Sequence, residues 1–300
     1  MNALVVGLGS IGKRHVGCLE ELGYTVDVVS SHSEIAKYAS LKEVSDLNDY
    51  TIIALCSETI KHKEQFEVCV NQDFKGVLFV EKPLGFEVEH FLNSKAVVAY
   101  NLRFHTAIEK LKKQLKHKKI LSAQFNIERY LPTMRRESRD YSESYSCFKG
   151  LGGGVLNDFS HDLDLCLYLL GDWKSLTALG GKISELYGDS EDNVHVLIEM
   201  KTGCAVQLHL SYCNHLPSRN IVIECEGESY RLELDSGLYQ NSKECVEFKP
   251  EALVESYYKQ WKSILKESSE VCDLAQAINV EILIREIKEA LKSKSWRSRL

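Results

Sequence analysis

In GGGVLNDFSHDLD, residues 152–164, a single histidine, His161, stands among Asp158, Asp162 and Asp164 directly after three glycines. An imidazole beside carboxylates can serve in three ways. It can help to hold a divalent metal, it can carry a proton while a carboxylate fixes its tautomer, or it can be a satisfied structural histidine near a helix-capping aspartate. If the helix begins by Asp158, steps of three place Asp158, His161 and Asp164 on one face, with Asp162 turned by about 100° from His161. No independent cluster of further ligands accompanies them, so no metal is expected. The stretch by itself favours the structural histidine.

A second pattern opens the chain. GLGSIG (7–12) fits G-x-G-x-x-G, follows the strand-like LVV and precedes Ile11, Val16, Leu19 and Leu22 at near-helical spacing, the context in which this motif binds a dinucleotide. Gly7 allows the tight turn, Gly9 lets backbone approach a pyrophosphate, Gly12 permits close helix–strand packing, and the helix start offers N–H groups to the anion. The acid that usually binds the ribose 2′-OH about 20 residues later is missing, because the second strand ends Val28-Val29-Ser30-Ser31-His32. Ser30, Ser31 and His32 can accept a 2′-phosphate, and Lys13 or Arg14 can add charge. The expected cofactor is therefore NADP, with NAD as the alternative.

A third pattern is FVEKPLG (79–85), at the end of the fourth strand, on the edge where open parallel sheets take ligands. A Lys-Pro bond can be cis, one way of directing Lys82 into a crevice. Alone, the motif reads more simply as a surface lysine before a turn proline.

The elements that must position these residues follow from periodicity. LVVGLG, TVDVVS, TIIALC, GVLFVE and AVVAY read as buried strands, with a helix over 59–71 between two of them, which indicates a parallel sheet covered on both faces. After about residue 102 the rhythm changes. A helix over 105–118 leads to SAQFNIERY, the glycines lead to a helix through LCLYLLG, and from 175 to 235 apolar and polar residues alternate with a period of two. The fold class expected is α/β: a Rossmann domain over 1–102, then an α+β domain over 103–300 with an open, mainly antiparallel sheet, and a late helix over about 274–292 that can pack back on the first domain.

Composition excludes other classes. Lys+Arg 37 against Asp+Glu 43 leaves a formal net charge of -6, so no broad field attracts nucleic acid. The 10 cysteines form no C-x-x-C pair and read as buried hydrophobes in a reducing compartment. No signal-like or membrane-spanning run is present, which points to a cytoplasmic protein. EKLKKQLKHKK (109–119) reads as the solvated side of an amphipathic helix. TMRRESRDYSESYSCFKG (133–150) is either a mobile surface loop or a lid offering Arg135, Arg136 or Arg139 to an anion. Arg103, just after the last Rossmann strand, has the better claim on a substrate.

Together, G-x-G-x-x-G, E-K-P and G-G-G-x-x-x-D-x-x-H-x-x-D, with GSIGKRH (9–15) and AYNLRF (99–104), resemble the glucose-fructose oxidoreductase and inositol dehydrogenase (Gfo/Idh/MocA) family along the whole chain. The resemblance implies an NAD(P)-dependent oxidoreductase acting on a sugar, sugar acid or nucleotide-linked sugar, or alternatively on a tetrapyrrole or imine. A dinucleotide-binding regulator without turnover is the other class to weigh. The resemblance implies Lys82 at the reacting hydroxyl, His161 as proton carrier and Asp158 beside it, in a cleft between the domains. Many members have four residues from that aspartate to the histidine, where this chain has three. The implied cofactor set is Gly7, Gly9, Ser10, Ile11, Gly12, Lys13, Arg14, Ser30, Ser31, His32, Cys56, Ser57, Glu81 and Lys82; Arg103 and Asn157 join Asp158 and His161 toward substrate. A homodimer or homotetramer through the second sheet is implied as well, with no nucleic-acid or membrane partner.

Overall fold

The computed structural model describes residues 1–87, 95–134, 140–249 and 252–299. Arg135, Arg136 and Arg139 lie outside them. The chain divides into two compact units, one of Met1–Asn101 with Val254–Glu281 and one of Leu102–Leu253 with Ile282–Leu300.

The first unit starts with β1 (Asn2–Val6), α1 (Ser10–Glu21), β2 (Thr25–Val29), β3 (Ile52–Leu55), α2 (Thr59–Asn71), β4 (Val77–Val80) and β5 (Ala96–Val98). The five strands are parallel in the order β5-β4-β3-β1-β2. Leu4, Val5, Ile53, Ala54, Phe79 and Val80 are fully buried, which is why these strands read as unbroken apolar runs rather than as alternating ones. The strand order reverses between β1 and β3, and such a switch point is where a crevice opens at the carboxyl ends of the strands.

In the second unit come α3 (Thr106–Leu115), β6 (Ile120–Tyr130), α4 (Leu131–Met134), α5 (Val155–Asp158), α6 (Ser160–Leu170), then β7 (Trp173–Gly181), β8 (Asn193–Met200), β9 (Ala205–Ser211), β10 (Cys213–Cys225), β11 (Glu228–Glu233), β12 (Leu238–Asn241) and β13 (Cys245–Glu247). These strands form a nine-stranded sheet, completed by β15 (Arg297–Ser298) beside β7; β6 and β9 run parallel and the other neighbours antiparallel. Val194, Val196, Ile198 and Met200 face the core, and His195 and Leu197 between them are exposed. In α3, Ala107, Ile108, Leu111 and Leu115 are buried, and Lys110 pairs with Glu244 at 2.8 Å.

The chain then passes through α7 (Ala252–Leu265), the two-residue β14 (Cys272–Asp273) and α8 (Leu274–Ser293). β14 pairs antiparallel with β5, Cys272 opposite Val98, and Trp261 of α7 is buried against Phe79 with ring centroids 4.4 Å apart. A two-residue strand has no periodicity to read. Residues 254–281, with the start of the late helix, thus belong to the first unit.

One helix expected as continuous is broken. Phe159, at φ -101° and ψ 25°, separates α5 from α6, so Asp158 ends one helix and His161 lies in the first turn of the next. The condition for one shared face, a single helix running from Asp158 through His161 to Asp164, is therefore not met. Among the described residues no helix is long and apolar enough to cross a membrane.

Candidate active site

The glycine-rich turn is built from close backbone approaches. Gly7 has φ +96°, and a Cβ there would stand 2.8 Å from the backbone of Cys56 and Ser57, the residues that follow β3. A Cβ at Gly12 would lie 2.0 Å from the Gly7 carbonyl oxygen. Packing thus dictates both glycines. Gly9 differs, since a Cβ there would meet no protein atom within 4 Å. It is the N-cap of α1, whose start has no side-chain cap and no acidic residue in its first turn. Unpaired N–H groups and the positive end of a helix dipole fit an anion. Ser10 and Ile11 form that first turn, and Lys13 and Arg14 are exposed one step on, Arg14 lying over the Tyr257 ring at 4.8 Å. Ser30 is half-buried and accepts from the His32 amide at 3.3 Å, while Ser31 and His32 are exposed. Burial pushes the Cys56 thiol well above its ordinary range, and Ser57 donates to Gln65 Oε1 at 2.6 Å.

Lys82 follows β4 on the same carboxyl edge, half-buried, and its bond to Pro83 is cis. The residue before it is held from two sides. Glu81 Oε1 lies 2.7 Å from His15 Nε2, and Glu81 Oε2 accepts from the Lys82 amide at 3.0 Å. His62, on α2, holds the turn beyond: Nδ1 lies 3.1 Å from the Pro83 carbonyl and Nε2 lies 3.1 Å from that of Ser57. Burial lowers the His62 pKa from its ordinary value, and the Ser57, Leu84 and Pro83 carbonyls together with the Glu81 charge oppose it. A depressed imidazole makes the unfolded chain the better proton acceptor, so His62 supports the fold at neutral pH and that support fades as the pH falls below the ordinary imidazole range. Urea denaturation at about pH 7 and about pH 5 is expected to show a smaller loss of stability in His62→Gln than in the wild type. An equal loss in both would sink the assignment.

The glycine-led stretch is also tightly packed, not the flexible approach that its composition suggests. Gly154 has φ +109°, and a Cβ there would lie 2.3 Å from Glu191 Oε1. Asp158 is buried and receives three hydroxyls: Tyr145 at 2.7 Å on Oδ1, and Ser146 at 2.6 Å and Tyr212 at 2.5 Å on Oδ2. It joins the segment before the glycines to the end of β9. His161 is half-buried. Its neighbours in sequence are committed to arginines: Asp162 pairs with Arg219 at 3.0 Å, and Asp164 takes Arg103 in a two-pronged pair, Nε at 2.9 Å and a terminal nitrogen at 2.5 Å. Arg103 and Asp164 are almost fully buried. Burial pushes the Asp164 carboxyl up, and Arg103 acts against it. Asn157 donates to the Gly152 carbonyl at 2.9 Å and lies 3.5 Å from Lys288 Nζ. Arg103 and Asn157, expected toward substrate, are thus bonded within their own unit.

Sequence reasoning singled out Glu81 and Lys82 but passed over His15, His62, Trp261, Tyr145, Ser146 and Tyr212. His15 lies within GSIGKRH, directly after the solvent-facing Lys13 and Arg14, and is buried in α1. The others carry no local signal, because their partners are 21 to 246 residues away or lie on another element.

Residues 119–231 match the family model of the GFO/IDH/MocA C-terminal domain. No curated protein matches the chain. Among solved structures, levoglucosan dehydrogenase in complex with NADH is similar with a TM-score of 0.85 at 16% identity, over 99% of this chain and 98% of that one. The WlbA dehydrogenase from Bordetella pertussis, in complex with NADH and UDP-GlcNAcA, is similar with a TM-score of 0.81 at 14% identity, over 100% and 98%. GenD2 from gentamicin A biosynthesis, in complex with NAD, gives 0.80 at 18% identity, over 100% and 96%. Residues 119–231 therefore match a GFO/IDH/MocA C-terminal domain, and the chain as a whole shares the fold of these solved structures.

Proposed function

We propose that this protein is an NAD(P)-dependent oxidoreductase that interconverts a secondary alcohol and a ketone on a sugar, sugar acid or nucleotide-linked sugar. One observation carries the reading: the glycine-rich turn after β1, Cys56–Ser57 after β3 and Glu81–Lys82 after β4 share the carboxyl edge of one parallel sheet, at its switch point. The solved proteins of the same fold add support: two are dehydrogenases in complex with NADH, and the third, GenD2, is in complex with NAD.

The nicotinamide, when bound, supplies or accepts the hydride at the substrate carbon. Gly9 and the start of α1 would hold its pyrophosphate, in the turn that Gly7 and Gly12 allow. Lys82 donates to the reacting oxygen and stabilises the charge that develops there. His161 takes the hydroxyl proton in oxidation and returns it in reduction. Asp158 is a positioning residue, holding Tyr145 and Tyr212 in the unit that carries His161.

Ser30, Ser31 and His32, in place of an acid at the end of β2, favour NADP over NAD. Fluorescence titration is expected to give NADPH at least about tenfold tighter binding than NADH, a difference of roughly 1.4 kcal/mol; equal affinities would remove the preference and leave the reaction class untouched. The decisive experiment is a panel of sugars, sugar acids and nucleotide-linked sugars followed by cofactor absorbance. Turnover of at least one is expected, and none with any member would overturn the reading. The open face of the nine-stranded sheet, where Leu179 and Leu197 are 66% and 52% exposed, supports a dimer or tetramer through that face. Sedimentation velocity should show it, and a monomer at micromolar concentration would count against it.

A further inference from the structure

Behind Lys82 lies a buried hydrogen-bonded chain that the reaction itself does not use. Trp261 Nε1 donates to His15 Nδ1 at 3.0 Å, His15 Nε2 lies 2.7 Å from Glu81 Oε1, and Glu81 Oε2 accepts the Lys82 amide at 3.0 Å. Trp261 and His15 are fully buried and Glu81 is 7% exposed. All four residues belong to the first unit. Phe79 and Trp261 wall the imidazole edge-on, with ring centroids 4.8 and 5.6 Å away.

The direction of the chain is dictated by chemistry. An indole N–H only donates, so Nδ1 of His15 must accept and the neutral ring carries its hydrogen on Nε2. That hydrogen points at Glu81. A carboxylate held on one oxygen by Nε2–H presents its other oxygen in a set orientation, and there it meets the Lys82 amide. With the Lys82 amide held by Glu81, the φ torsion about which the Lys82 backbone turns is held as well, and that torsion is one of those that direct its side chain.

We propose that His15 and Trp261 are positioning residues that act on Lys82 through Glu81, the indole selecting the histidine tautomer that keeps the carboxylate, and so the lysine, in place. The proposal rests on the reading of Lys82 as the group that meets the reacting oxygen. Its logic is that of outer-shell partners that orient a functional side chain by fixing an imidazole tautomer.

The test uses the full chain, without substrate, in two measurements. Long-range imidazole ¹⁵N spectra of the wild type are expected to show His15 hydrogen on Nε2. Amide hydrogen exchange is expected to show Lys82 protection reduced about tenfold or more in Trp261→Phe and His15→Phe, with Leu4 and Ile53 in the neighbouring strands unchanged. His15→Gln, which can still offer an N–H to Glu81, should recover part of the protection. Hydrogen on Nδ1, or Lys82 protection unaltered in both phenylalanine variants, overturns the proposal. Should either variant lose protection at Leu4 as well, the wild-type tautomer and His15→Gln decide the matter. On any sugar that the wild type turns over, Trp261→Phe should lower kcat with NADPH affinity unchanged. Coupling of His15 to the Lys82 amide in a protein that oxidises no sugar would leave the chain standing and remove only the dehydrogenase reading.

Discussion

Replacing His161 by alanine is expected to lower turnover of an identified sugar by about 10²- to 10⁴-fold, the usual contribution of a positioned proton-transfer group. Dinucleotide affinity should stay within about twofold, because the glycine-rich turn and α1 belong to the first unit and His161 to the second. The loss should fall on kcat, since an interaction made as the proton moves is absent from the bound ground state. The limb of the pH–rate profile that reports the histidine should vanish in the variant. Lys82→Ala provides the companion result: removal of a donor to a developing oxyanion costs on the order of 10²- to 10³-fold. Steady-state kinetics on both variants checks the pair. Turnover within about threefold of wild type in both would exclude these two residues as the reacting groups.

The second large effect concerns stability. Arg103→Ala is expected to destabilise the second unit by about 3–5 kcal/mol, because it leaves the Asp164 carboxylate buried without its partner. The pair is two-pronged, with side chains 3% and 1% exposed, so solvent cannot take over from the guanidinium. Arg103 also lies over the Tyr168 ring at 4.7 Å, and alanine gives up that contact too. The double variant Arg103→Met with Asp164→Leu should recover most of the loss, since an apolar pair of similar volume removes the desolvation problem along with the attraction. Denaturant unfolding followed by tryptophan fluorescence in a Trp261→Phe background reads this unit, because Trp173 and Trp296 belong to it and Trp261 to the first. A single-variant loss below about 1 kcal/mol would contradict the buried-pair account. Arg103 supports α6, because two of its nitrogens are held by Asp164, three residues along α6 from His161.

Much of the architecture was legible in the residues themselves. The unbroken apolar strands of the first unit and the alternating strands of the second announce a parallel and an antiparallel sheet, because burial on two faces or on one leaves its mark at every position along a strand. The helices over 59–71 and 274–293 and the roles of Gly7 and Gly12 were readable for the same reason: each depends on near neighbours in sequence. His161 was legible only as one of three readings until GLGSIG and EKP stood beside it.

What the sequence determined by itself is therefore local: which segments are strands and helices, which turn suits a pyrophosphate, and which lysine and histidine are the candidates for the chemistry. What only the tertiary structure decided is who holds them. Asp158, Asp162 and Asp164 look alike in sequence, yet one collects hydroxyls from Tyr145, Ser146 and Tyr212 and the other two take Arg219 and Arg103. The break at Phe159 separates them, and Trp261 reaches His15 across 246 residues. Such partners are chosen because a buried polar group must be paired. The pairing is settled by which elements the fold brings within about 3 Å, a distance that no spacing along the chain encodes.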